Sequence, residues 1–194
     1  MKILCVSDQI DPLVYSSFVK ERFSDVDMVL SAGDLPMEYL EFIVSSLNKP
    51  LLFVFGNHNL KDYAAYAGEK GFAGLDFAQE GRFSGATHIG SKVRREEGLI
   101  VMGLGGSMKY NRGENQFSDF GMLCKIIAKI PALLLNRIFR GRYLDVLLTH
   151  AAPRGIHDRE DPCHRGFRSF LWFMRAFKPR YLIHGHIHLY DLSA

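Results

Sequence analysis

Leu51-Leu52-Phe53-Val54-Phe55-Gly56-Asn57-His58-Asn59 is the stretch on which the reading of this chain turns. Five apolar residues between Pro50 and Gly56 describe a strand covered on both faces, the habit of a central strand in an α/β sheet. The strand stops at Gly56, where the backbone is free to turn sharply, and delivers Asn57 and His58 side by side. Ligands in open α/β sheets bind beyond the carboxyl ends of strands. A carboxamide and an imidazole at that edge are either turn and cap residues or part of a metal site. The rest of the chain has to decide between them.

Working outward, the same event recurs. Residues 3–7 form a short apolar run that ends at Asp8, and residues 27–32 form another that ends at Gly33-Asp34. Between these strands the spacing predicts helices over 12–23, with Asp11 as cap and Pro12 in the first turn, and over 37–47. Strand, helix, strand, helix, strand is the order of a right-handed parallel sheet. Three successive strands thus deposit Asp8, Asp34 and Asn57 on one edge. Residues 68–93 read as loop and short strands. A strand over 99–104 runs into Gly105-Gly106-Ser107, a tight turn that lacks the Gly-Lys-Ser/Thr of a phosphate loop. Strands at 144–149 and 181–183 end in His150 and in His184-Gly185-His186-Ile187-His188, with an aromatic helix over 167–177 between them. Three imidazoles so close together, with no acidic sequence neighbour, call for a metal.

Residues 117–142 stand apart. Met122, Leu123, Ile126, Ile127, Ile130, Leu133, Leu134, Ile138 and Phe139 make an apolar band, and Pro131 divides the segment into two helices. Lys125, Lys129, Asn136 and Arg140 are expected on one helix face. Residues 92–142 hold ten Lys/Arg against four Asp/Glu, a local +6 in a chain of net +3. A helical pair packed on the core with a solvated basic face accounts for most of this. Contact with an anionic membrane or a lipid-linked substrate through 117–142 stays open.

Composition narrows the classes. The chain has 194 residues, of which 47% are hydrophobic and 23% charged, as in an ordinary single globular domain. The apolar run at the N-terminus is too short for a signal peptide, and no stretch is long and apolar enough to span a membrane. Cys5, Cys124 and Cys163 are an odd number without a C-x-x-C pair, which suits reduced thiols in the cytoplasm. Neither the total charge nor an interleaved Lys/aromatic stripe points to nucleic acid, so a nuclease ranks low.

Asp8, Asp34, Asn57, His150, His186 and His188 are therefore the candidate ligands, oxygen and nitrogen donors without thiolate. Such a set suits manganese, iron, zinc or cobalt. It is also about what two ions roughly 3.5–4 Å apart need. In order, Asp8-Gln9-Ile10, Gly33-Asp34, Gly56-Asn57-His58, Thr149-His150 and Gly185-His186-Ile187-His188 resemble the motifs of the calcineurin-like metallophosphoesterase family over nearly the whole chain. The resemblance implies a four-layer α/β/β/α sandwich, here with a helical insertion around 114–142, in one domain spanning 1–194. It implies two divalent ions, manganese first, and hydrolysis of a phosphomonoester or phosphodiester. By the same resemblance Asp34 bridges the ions. Asn57, His150 and His186 hold one, Asp8 and His188 the other, and His58 protonates the leaving group. Arg154 and His164 are candidates for binding substrate.

Three features depart from the family pattern. Ile10 stands where the family carries a histidine ligand. Asn59 stands where an acidic residue commonly follows Gly-Asn-His. The sequence stops six residues after His188, where the fold usually adds a further strand. A non-catalytic interaction protein with a decayed metal site, as in the retromer scaffold of the same fold, is the remaining alternative.

Overall fold

The computed structural model describes residues 1–67 and 85–187. The first part of the chain runs β1 (Ile3–Val6), α1 (Val19–Arg22), β2 (Met28–Ser31), α2 (Met37–Leu47), β3 (Leu51–Phe53), α3 (Tyr63–Ala67) and β4 (Ala86–His88). Its four strands form a parallel sheet in the order β1-β2-β3-β4. The second part runs β5 (Lys92–Glu96), β6 (Leu99–Leu104), β7 (Ser107–Met108), β8 (Gln116–Phe117), α4 (Asp119–Ile127), α5 (Ile130–Arg140), β9 (Val146–Thr149), α6 (Arg168–Phe177) and β10 (Tyr181–Ile183). Its main sheet has the order β10-β9-β6-β5, parallel except for β5.

The unbroken apolar strands are explained by what covers them. Successive side chains of a strand point to opposite faces. Val29, Leu51 and Phe53 join the cluster of Val19, Leu40 and Ile43 from α1 and α2. Their neighbours Met28, Leu30, Leu52 and Val54 meet Val101, Val146 and Leu148 of the other sheet. Ile100, Met102 and Leu147 turn the other way, onto Met122, Leu133, Phe170 and Phe173 of α4, α5 and α6. Both sheets are thus covered on both faces, consistent with the sandwich that the resemblance implies. The mixed α/β fold expected from the sequence is the one observed.

Local differences have local causes. Of the helix expected over 12–23, only Val19–Arg22 is α-helical. Asp11 Oδ1 accepts the Leu13 N–H at 2.7 Å. The Ser16 hydroxyl donates to the Leu13 carbonyl and accepts from Phe18 N–H, at 3.2 and 3.3 Å. Short polar side chains that bond their own backbone in this way compete with the helix ladder. Helix α2 matches its expected span and ends at Asn48 in the left-handed conformation. Pro131 does mark the second insertion helix, in the first turn of α5, while Ser118 caps α4 through Gly121 N–H.

The shared basic face is not found. Lys125 is turned inward, its Nζ 3.4 Å from Ser91 Oγ and 4.0 Å from the centre of the Phe117 ring. Asn136 donates to the Tyr143 carbonyl at 3.3 Å. Nor does the apolar band all pack on the core: Ile127, Leu134, Ile138 and Phe139 are exposed. Residues 68–84, part of the stretch read as loop and short strands, lie outside the described residues. No described helix is long and apolar enough to cross a membrane.

Candidate metal centre

The functional residues follow the carboxyl ends of the strands; Gly106 N–H donates to Phe55 O at 2.8 Å between the two sheets, and within each sheet a backbone bond ties neighbouring ends. Asp8 N–H donates to Gly33 O, and Gly185 N–H to His150 O, both at 3.0 Å. The chain leaves these strands abruptly: Asp8, Asp34 and His186 have φ of 62°, 59° and 68°. A non-glycine residue in that region costs free energy and persists where its surroundings hold it, a pattern that concentrates at functional sites. Gly56 is needed for room. A Cβ there would lie 2.0 Å from Asp34 Oδ1 and 2.6 Å from His150 Cε1.

Around Nε2 of the fully buried His150 lie Asp34 Oδ2 at 3.3 Å, Asn57 Oδ1 at 3.2 Å and His186 Nδ1 at 3.1 Å. The atoms behind each donor show which lone pairs face inward. His150 Nδ1 is 2.8 Å from the Ala32 carbonyl, and His186 Nε2 is 2.7 Å from the Cys163 carbonyl. A carbonyl only accepts, so each of those nitrogens carries the hydrogen. In the neutral rings the lone pairs are then on His150 Nε2 and His186 Nδ1, which face each other. Asn57 donates its Nδ2 to Tyr110 Oη at 3.2 Å, leaving Oδ1 for the cluster. Four lone-pair donors converge and none of them brings a hydrogen.

Only a proton or a cation relieves such an arrangement. Ligands bound at about 2.1 Å to one transition metal stand roughly 3.0–3.4 Å apart, so the observed separations suit an ion. Asp34, His150 and His186 are the group of His, Cys, Asp and Glu side chains among the described residues whose donor atoms all lie within 4.8 Å of one another. Electrostatics agrees. Burial resists ionisation of Asp34, but hydrogen bonding and charge from His150, with the His58 N–H, outweigh it and hold the carboxyl below its ordinary range. Burial and the neighbouring His150 push His186 down to about 4, keeping it neutral. For His150, burial works against the charged form but the Asp34 carboxylate overcomes it and raises the pKa. Without a metal, His150 is thus where a proton would substitute for the ion.

The other candidates fall in different places. Asp8 flanks the cluster, both carboxylate oxygens accepting the His186 N–H at 2.9 and 3.0 Å. His58 is exposed at the rim, its N–H donating to Asp34 Oδ1 at 2.8 Å. Arg154 is engaged by Asp158 at 2.8 Å and by both oxygens of Glu160 at 2.9 and 2.8 Å. His164 has its Nδ1 2.9 Å from Asp161 Oδ1, and its ring centre lies 5.1 Å from that of His186. His184 is separate from the cluster: its Nε2 faces His157 Nδ1 at 3.1 Å, so the trio of imidazoles does not act as one group. His188 lies outside the described residues. Ile10 is 45% exposed.

Sequence reasoning missed the residues that hold the ligands. Asn59, notable in the sequence for not being acidic, donates to the Asp34 carbonyl at 2.8 Å and joins two of the turns. Asn115 donates to the carbonyls of Phe55 and Gly56 at 3.2 and 2.6 Å, bracing the turn that presents Asn57. Tyr110 and the Cys163 carbonyl complete the support. Asn59 was visible beside the motif but its role was not, and Tyr110, Asn115 and Cys163 have no local signal because each comes from a loop remote in sequence.

The sequence matches the calcineurin-like phosphoesterase family over residues 1–190. The chain belongs to that family. Among curated proteins none matches it.

Proposed function

We propose that this member of the calcineurin-like phosphoesterase family hydrolyses a phosphomonoester or phosphodiester with two divalent ions, manganese first and iron, zinc or cobalt as alternatives. The observation that carries this reading is the convergence of Asp34, Asn57, His150 and His186 as four lone-pair donors with no hydrogen among them. These four would hold one ion. Asp34 would be shared with the second, held also by Asp8 and His188. The bound ions would supply activation of water at neutral pH and neutralisation of the phosphoryl oxygens as charge shifts.

The chain's own residues do the rest. His58 stands exposed at the rim with its backbone pinned to Asp34, so its ring can take a proton from solvent and give it to the departing oxygen. Arg154 is fixed by the well-buried Asp158, while Glu160 is 84% exposed. A substrate phosphoryl group can replace Glu160 on the guanidinium without dislodging the arginine. His164, with Asp161 on its Nδ1, is placed beside His186 to meet a phosphoryl oxygen or the leaving group.

A decayed scaffold would have no need of this fully backed donor set, so hydrolysis is preferred over the interaction protein. Three free cysteines support a cytoplasmic setting. One domain spanning 1–194 is part of the same proposal. The test is metal analysis of the purified protein, followed by hydrolysis of p-nitrophenyl phosphate and bis(p-nitrophenyl) phosphate with and without added Mn²⁺. We expect turnover that chelator removes and Mn²⁺ restores. Hydrolysis indifferent to chelator, or none of either ester at full metal loading, overturns the reading.

A further inference from the structure

We infer that a cavity walled by β4, the start of β5, α3 and α4 binds a small oxyanion of the phosphate class, at a site separate from the metal centre. This goes beyond the hydrolytic reading. The chain crosses from one main sheet to the other at residues 89–92, where Ile89 N–H donates to Phe53 O at 2.9 Å and Ser91 N–H to Gly103 O at 2.8 Å. Beside this crossing lies a cavity of 170 Å³, with Phe55, Tyr66 and His88 in its wall. That is smaller than the roughly 300–1,000 Å³ of sites for drug-sized ligands, and far more than the ~10–15 Å³ that one water needs. None of Asp34, Asn57, His150 and His186 lines it.

Charge indicates what fills the cavity. Lys92 and Lys125 both line it, and among the described residues no Asp or Glu does. Lys125 reaches in from α4, half-buried, its Nζ donating to Ser91 Oγ at 3.4 Å and lying 4.0 Å from the centre of the Phe117 ring. These contacts fix the ammonium without neutralising it. Burial, and then the neighbouring Lys129, hold its pKa below the ordinary lysine range. A charge drawn out of water is ordinarily paired with one of opposite sign, yet the ion pairs among the described residues include neither lysine. His88 adds a polar edge and no charge, since burial, with Lys92 next, pushes its pKa down to about 4. Gly90 makes room for that edge: a Cβ there would lie 2.4 Å from His88 Nε2. The Ser91 hydroxyl accepts from Lys125 and keeps its own hydrogen to donate. Ammonium groups are point charges that donate in several directions, whereas the flat carboxylate is matched by the arginine fork. Two lysines and a hydroxyl therefore suit a tetrahedral oxyanion. It would lie against the support of the metal centre, because Phe55 and Asn115 line the cavity and Asn115 donates to the carbonyls of Phe55 and Gly56.

The test is calorimetric titration of the full chain with inorganic phosphate, loaded with Mn²⁺ and again after chelation, in about 0.1 M sodium chloride to screen exposed charges. We expect a phosphate site that survives chelation; a failure of the hydrolytic reading would leave that site untouched. Lys125→Met keeps the stem over Phe117 and should weaken the site by about tenfold or more, the worth of a charge-assisted hydrogen bond. Lys92→Gln, at the exposed wall, should weaken it by a smaller factor with the thermal unfolding midpoint unchanged. No phosphate bound by the chelated protein overturns the inference, as does binding undiminished in both variants. Succinate bound as tightly as phosphate would assign the cavity to carboxylates and overturn it too. The source of the anion is read from kinetics, the one arm that rests on the hydrolytic reading. A KM raised by Lys92→Gln for fructose 1,6-bisphosphate but not for p-nitrophenyl phosphate upholds the site as the seat of a substrate's second phosphoryl group. Both KM values unchanged, with phosphate binding weakened, uphold it as a site for free phosphate.

Discussion

On the side of the centre formed by Asp34, Asn57, His150 and His186, each imidazole and the carboxamide have a partner behind them: Ala32 O, Cys163 O and Tyr110 Oη fix which atom faces inward. The other side begins at Asp8, whose carboxylate is held, among the described residues, by the His186 backbone N–H. It continues through the exposed Gln9 and Ile10 to Asp11, which is bonded to Leu13 N–H. The contrast teaches that a ligand's value depends on what stands behind it. Supporting hydrogen bonds set the tautomer, the rotamer and the basicity of each donor, and their loss commonly costs 10–100-fold in affinity or activity. The first side should hold an ion on its own. The second lacks the family's histidine at position 10, and should hold one weakly until metal or substrate is added.

The substitution that breaks both sides at once is Asp34→Asn, because this carboxylate serves both in the proposed arrangement. Hydrolysis should fall to background and metal content with it, a loss larger than any below. Full metal content in the Asn variant, measured by plasma emission, would show that Asp34 is not the shared ligand. In the proposed arrangement His58 belongs to neither side. His58→Ala should leave metal content intact and slow alkyl phosphate esters by about 10²–10⁴-fold. p-Nitrophenyl esters, whose leaving group needs no proton, should hardly change. Equal losses on both substrate types would place His58 among the structural or ligating residues.

The comparison itself is sharpest at Ile10. Ile10→His should tighten the second ion by about 10–100-fold in a calorimetric titration of the chelated protein while leaving the first step unchanged. Two equally tight sites in the unaltered chain would erase the asymmetry. The smallest effect is expected at the support of the better side. Tyr110→Phe frees the Asn57 carboxamide to rotate, and should weaken the first ion by about tenfold at most. The second step should not move. A weakened second step with an intact first would reverse the assignment of the two sides.

A second contrast lies within the apolar residues. Those of β3 and β9 are apolar because both faces of each sheet are covered, and their unbroken apolar runs announced it. The apolar band of 117–142 was equally plain in the sequence, yet only Met122, Ile126 and Leu133 are fully buried. A helical period says that residues share a face. It does not say whether that face meets a core or something outside the chain.

The order of strands and helices, the family, and the placing of Asp34, Asn57, His150 and His186 at strand ends were legible in the sequence alone. Each lies immediately after an apolar strand, and the strand is a local signal. The failed helix over 12–23 was a local matter too, but one settled by hydrogen bonds of Asp11 and Ser16 that compete with a good apolar pattern. What only the tertiary structure decided is which lone pairs face one another. The carbonyls of Ala32 and Cys163 and the hydroxyl of Tyr110 choose that, and they arrive from loops 118, 23 and 53 residues from the ligands they serve. Strand ends are specified by nearest neighbours in the chain. The proton on an imidazole is specified by its nearest neighbour in space.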